Sequence, residues 1–119
     1  MRVFHLGAIP HRMIDAHDST GFSVGALGIS ADAHLVVVRL KPDGVIGGHP
    51  AVGRQLLLVI DGDATVTGSQ GEMRTLGAGE AAVWEAGEQH TTSSVNGLLG
   101  FLVEGDLDLD TRPGAIDAP

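Results

Sequence analysis

Short apolar runs separated by turn-forming residues recur along the whole chain. Leu35–Leu40 reads LVVVRL and closes on Lys41-Pro42-Asp43-Gly44. Gln55–Ile60 reads QLLLVI and closes on Asp61-Gly62, a pair that favours a tight hairpin turn. Ala64–Thr67 follows, then Gly68-Ser69-Gln70-Gly71 as a further turn, then Met73–Leu76, Ala81–Trp84, His90–Ser94 and Leu98–Val103. Upstream, Phe22–Ile29 alternates loosely around glycines, and Val3–Leu6 has weak strand character. The pattern predicts eight to ten short strands with a turn about every ten residues, the rhythm of a sandwich or barrel. No segment sustains the 3.6-residue period of a helix, so helix is confined to the N-terminal arm or the tail.

Several of these strands are apolar on both faces. In Gln55–Ile60 one face carries Gln55, Leu57 and Val59, and the other Leu56, Leu58 and Ile60; Leu98–Val103 is doubled in the same way. One face lines the barrel interior. The other needs cover, from a second copy packed sheet to sheet, from the N-terminal arm, or from local loops. A homodimer is the expectation. Residues 1–20 read as an arm, 21–105 as the barrel and 106–119 as an acidic tail, where Leu107 and Leu109 alternate with aspartates in the manner of a charged edge strand or a solvated terminus.

Composition narrows the partners. The 119 residues suit one domain with its own core, and the absence of cysteine excludes disulfides, thiolate nucleophiles and cysteine-based zinc sites. The net charge of −8, with only seven lysines and arginines, disfavours nucleic acid and anionic membrane surfaces. The first twenty residues hold no apolar signal-like core, and the longest apolar run, Leu56–Ile60, is too short to span a bilayer. The expected location is the cytoplasm and the expected partner a small molecule. Phosphate-binding glycine loops and the G-x-S-x-G nucleophile elbow are both missing.

Between Gly44 and Ser94 the chain resembles the cupin superfamily. The first motif of that superfamily, G-x(5)-H-x-H-x(3,4)-E-x(6)-G, is matched by Gly44, His49, Gln55 and Gly62; Gly44 falls one place late, Ala51 replaces the second histidine, and Gln55 replaces the glutamate. The second, G-x(5)-P-x-G-x(2)-H-x(3)-N, is matched by Gly79, Gly87 and His90, with Glu85 for the proline and Ser94 for the asparagine. The resemblance implies an all-β jelly-roll barrel, the double-stranded β-helix. It implies a pocket around His49, Gln55 and His90, where such proteins hold a metal.

Chemistry at these positions has two readings. Two imidazoles and a carboxamide oxygen suit a divalent transition metal such as iron, manganese, nickel, copper or zinc. Yet all three donors are neutral, and a divalent ion in a dry pocket would keep its full charge uncompensated. In the other reading no metal binds, and His49, Gln55 and His90 make hydrogen bonds to each other, to Thr92 or Ser94, or to an organic ligand. Ala51 and Trp84 are candidate pocket walls; Trp84 is equally a core residue. Arg39 and Arg54 are candidate anchors for a carboxylate ligand or solvated rim residues. Glu85 or Glu88 could orient His90 from behind, or lie in an exposed turn. The function is then either that of a small oxygenase, isomerase or cyclase, or that of a metal-free binding or accessory protein. His5, His11 and His17 share no strand or helix face and are read as chance.

Overall fold

The computed structural model describes residues 1–20, 22–25 and 28–110. Among the described residues eleven strands run in order: β1 (Arg2–His5), β2 (His11–Ile14), β3 (Phe22–Gly25), β4 (Gly28–Leu40), β5 (Val45–Pro50), β6 (Arg54–Gly62), β7 (Ala64–Thr67), β8 (Met73–Leu76), β9 (Glu80–Trp84), β10 (Gln89–Ser93) and β11 (Leu98–Asp110). Among the described residues helix is limited to short 3-10 turns at Leu6–Ala8 and Ala16–Asp18, inside the arm where the apolar pattern left room for it.

A five-stranded sheet, β1-β9-β6-β11-β4, faces a four-stranded sheet, β5-β10-β7-β8, and β2 pairs with β3 in a separate ribbon. All pairs are antiparallel. The inward positions of both sheets meet in one core: Leu57, Val59, Ala64, Val66, Leu76 and Trp84 are all buried there. Each large side chain buried in this way stabilises the fold by about 1.5–3 kcal/mol relative to leaving it exposed.

Two sequence expectations are refined in detail. The Asp61-Gly62 pair makes no hairpin within a sheet, because β6 belongs to the five-stranded sheet and β7 to the four-stranded one. The chain crosses between layers here. Gly62 has a φ of 85°, and a Cβ at this point would collide with the Gly97 carbonyl, so the crossing requires glycine. The run Leu35–Leu40 is only the second half of a 13-residue strand. β11 runs from Leu98 to Asp110, paired with β4 throughout. Residues 111–119 of the tail lie outside the described part.

The second apolar face of the five-stranded sheet is covered at one side only. Leu56, Ala81 and Val83 are buried with Leu107, and Phe4, Leu58 and Val103 pack against them. Phe4 comes from the arm, whose β1 pairs with β9 and extends the sheet. Farther along that face, toward β4, Leu35 and Val37 stay 64% and 65% exposed, which marks where cover ends.

Candidate functional site in the barrel interior

Register places the site. Gln55 on β6 stands between Trp84 on β9 and Glu104 on β11, each its direct cross-strand partner. Cross-strand partners share a face, so the three side chains form a row on the inner side of the sheet. The row is continuous with the core alternation: Gln55 precedes Leu57 and Val59 on β6, and Glu104 follows Leu98, Gly100 and Leu102 on β11. From the opposite sheet, His90 on β10 meets this row. Its ring centroid lies 4.6 Å from that of Trp84, with the planes tilted by 31°.

A cavity of about 120 Å³ lies between them. Among the described residues its polar lining is Gln55, His90, Thr92 and Glu104; Trp84 forms one wall, and Val38, Ile46, Leu57 and Leu102 supply apolar surface. Gln55 and His90 are each 4% exposed, so their polar atoms require partners. Gln55 Nε2 donates to Glu104 Oε2 at 2.9 Å. His90 Nδ1 lies 3.1 Å from the Glu88 carbonyl oxygen. A carbonyl only accepts, so Nδ1 carries a hydrogen. Trp84 is held in turn by donation from its Nε1 to the Thr67 carbonyl at 2.9 Å.

The remaining sequence candidates separate. The backbone of His49 is the direct partner of His90 across β5 and β10, while the His49 side chain lies outside the described residues. Ala51 is 3% exposed and packs in the core; its backbone binds the Glu88 carbonyl and the Gly87 amide. Arg39 does not line the cavity. It alternates with the inward Val38 and Leu40, so it points to the outer side, where it borders a surface groove with Pro42 and Asp61. Arg54 is engaged at the rim, donating from Nε and Nη2 to Glu85 at 2.7 and 2.9 Å and from Nη1 to the Leu107 carbonyl at 2.7 Å. Ser94 turns away from His90 and donates to Asp63 Oδ1 at 3.2 Å.

Of the two glutamates near His90, it is the backbone of Glu88 that orients the imidazole. The Glu88 carboxylate instead accepts from the Met1 amino group at 2.9 Å and from the backbone amides of Glu85 and Ser69. Burial pushes this carboxyl up, but the ammonium and the N–H donors outweigh it and hold it below its ordinary range.

Glu104 was not a sequence candidate. The signal was present, since extending the inward alternation Leu98, Gly100, Leu102 by one step reaches it. It changes the donor chemistry of the cavity from wholly neutral to anionic. Imidazole nitrogen, carboxamide oxygen and carboxylate together fit a first-row divalent metal by donor type. Among the described residues no group of three or more histidine, cysteine, aspartate or glutamate side chains is arranged to hold a metal ion.

Two facing antiparallel sheets with a cavity between them define a double-stranded β-helix barrel. The fold is that of the cupin superfamily. A cupin-2 domain protein from Shewanella frigidimarina superposes with a TM-score of 0.55 at 17% identity, covering 66% of this chain and 79% of that one. A double-stranded β-helix domain protein from Klebsiella pneumoniae gives 0.57 at 22% identity, covering 79% and 89%. A single-residue variant of oxalate decarboxylase from Bacillus subtilis gives 0.60 at 19% identity, covering 87% of this chain but only 29% of the enzyme. Oxalate decarboxylase carries Mn(II) centres. No protein-family model and no curated protein matches the sequence. Among the described residues no helix is long and apolar enough to cross a membrane.

Proposed function

We propose that the protein is a small cupin-fold binding protein whose interior cavity takes a small organic molecule, with Gln55 and His90 as the groups that orient it. One observation carries this reading. The inner faces of the two sheets are packed at one end, and at the other they leave about 120 Å³ lined by buried polar side chains. A core without a ligand to recognise would fill that space with aliphatic groups. The volume is below that of a drug-sized site, so the ligand is small. His90, held through Nδ1 by the Glu88 carbonyl, is positioned to present its ring edge to a bound ligand.

The chain's only tryptophan forms a cavity wall, which makes the test direct. A panel of small polar molecules is titrated against Trp84 emission. The reading expects a saturable change for at least one class, abolished in Gln55→Leu. If no molecule perturbs Trp84 in the wild-type protein, the reading fails.

A metal-dependent form of this function has one specific observation behind it, the Nδ1–H contact to the Glu88 carbonyl that orients the His90 ring. In that form His90, Gln55 and His49 would hold a divalent ion, which would supply Lewis-acid or redox chemistry. Elemental analysis of untagged protein tests it; near-stoichiometric manganese, iron, nickel, copper or zinc is expected, and its absence removes this form. We further propose that two copies pair through the outer face of β4 and β11, where Leu35, Val37 and Phe101 are exposed side by side in register. Sedimentation of the wild-type protein and of Val37→Asp distinguishes a dimer from a monomer.

A further inference from the structure

The chain's only asparagine, Asn96, is followed directly by Gly97 in the loop that joins β10 to β11. This pair carries its own chemistry. The Gly97 backbone nitrogen, once it has lost its proton to a base in solution, can attack Cγ of Asn96. A new C–N bond closes a five-membered succinimide, the Cγ–Nδ2 bond breaks, and the side-chain nitrogen takes up a proton and leaves as ammonia. Water then opens the ring, giving aspartate if the Cγ carbonyl is hydrolysed and isoaspartate if the backbone carbonyl is. Glycine in the second position leaves the approach unobstructed, because it has no Cβ. Asn96 is exposed, so the water and base are at hand.

The loop holds the reactants apart. Ring closure needs rotation about the Asn96 Cα–C bond, and the amides on both sides of that bond are tied down. The Asn96 amide donates to Asp63 Oδ2 at 2.9 Å, and the Gly97 amide donates to Ser94 Oγ at 2.9 Å. The two acceptors are themselves joined, since the Ser94 hydroxyl donates to Asp63 Oδ1 at 3.2 Å. The Gly97 carbonyl is fixed as well, accepting from the Asp63 amide at 2.9 Å. Closure would also build negative charge on the Asn96 side-chain oxygen close to the Asp63 carboxylate, and like charges oppose it.

We propose that Asn96 is a self-deamidation site that Asp63 and Ser94 keep latent while the crossing between the sheets is closed. Conversion then records opening of this loop, and it hinders reclosure. Either product sets a second carboxylate beside Asp63. Isoaspartate also adds Cβ to the backbone, displacing the Gly97 carbonyl from the space against Gly62 where no Cβ fits. The site is independent of the cavity and of whatever the cavity binds.

The experiment incubates the full chain in mildly alkaline buffer, folded or unfolded in urea, and follows the peptide containing Asn96 by mass spectrometry. The readout is the mass gain of an amide NH2 exchanged for OH. Folded wild-type protein is expected to convert at least about tenfold more slowly than the unfolded chain, because reaction waits on local opening. Ser94→Ala and Asp63→Asn, each checked for folding by circular dichroism, are expected to lose most of that protection, and either one alone keeps the test available. Leu56→Ala, which weakens the separate core cluster on the other face of β6, is expected to retain it.

Conversion of the folded wild type as fast as the unfolded chain, or faster, overturns the inference. So does an unfolded chain that leaves Asn96 intact. Full protection in a folded Ser94→Ala or Asp63→Asn variant overturns the part assigned to that residue's contacts. If Leu56→Ala loses as much protection as Ser94→Ala, global stability guards the site and the local latch falls.

Discussion

Along β6 the inward positions run Gln55, Leu57, Val59, and along β11 they run Glu104, Leu102, Gly100, Leu98. Polar groups therefore gather at one end of the barrel and apolar groups at the other. At the apolar end Val59, Ala64, Val66 and Leu76 have no exposed surface at all. At the polar end the same strands, at the same spacing, enclose the cavity. The difference does not come from backbone architecture. It comes from two or three residues per strand, which shows how a barrel can keep its stability in one half and its chemistry in the other.

Substitutions at the two ends should behave differently. Leu76→Ala at the packed end is expected to cost about 2–5 kcal/mol in urea unfolding while leaving ligand-induced changes in Trp84 emission intact. Loss of binding in that variant would mean the two halves are not independent. At the hollow end, Gln55→Leu takes the hydrogen-bond donor from a half-buried carboxylate and is expected to cost about 1 kcal/mol. Adding Glu104→Leu should recover most of that loss, as a double-mutant cycle would show.

The packed end has its own polar device. Asp63, at the crossing between sheets, accepts from the Val95 and Asn96 amides at 2.7 and 2.9 Å and from the Ser94 hydroxyl. The Val95 amide leads the effects that hold its carboxyl below the ordinary value; burial opposes it, and the Asn96 and Ser94 donors assist. A depressed folded-state pKa contributes stability that is present at neutral pH and lost as pH falls through that pKa. Wild-type and Asp63→Asn melting temperatures should therefore differ at pH 7 and converge in acid. A gap that does not narrow would place the contribution elsewhere. Arg39→Ala, on the outer face, is expected to change stability by less than about 0.5 kcal/mol and binding not at all.

The barrel was legible because glycine spacing and strand alternation are local signals. Gly62, Gly79 and Gly87 all have positive φ, a backbone geometry that favours glycine, so their spacing marks turns whatever residues stand at the ligand positions. The row of Gln55, Trp84 and Glu104 was only half legible, since it depends on which strands become neighbours. β9 and β11 flank β6 from positions far apart in the chain. Glu104 was further hidden by its setting, at the head of the acidic stretch EGDLDLD, which reads as a solvated terminus. The face of Arg39 was not legible for a related reason: in a strand apolar on both faces, parity alone does not say which face is inside.

Gly105, with a φ of 148°, marks the last residue of β11 that pairs with β6; beyond it the strand has only β4 as a neighbour. Amide hydrogen exchange should register that boundary. Residues 98–105 lie within a three-strand lattice and open only with the barrel, whereas 106–110 belong to a two-strand ribbon that frays at far lower free energy. Glu104 sits one residue inside this divide, so the one formally charged side chain among the described lining residues is anchored to the three-strand lattice.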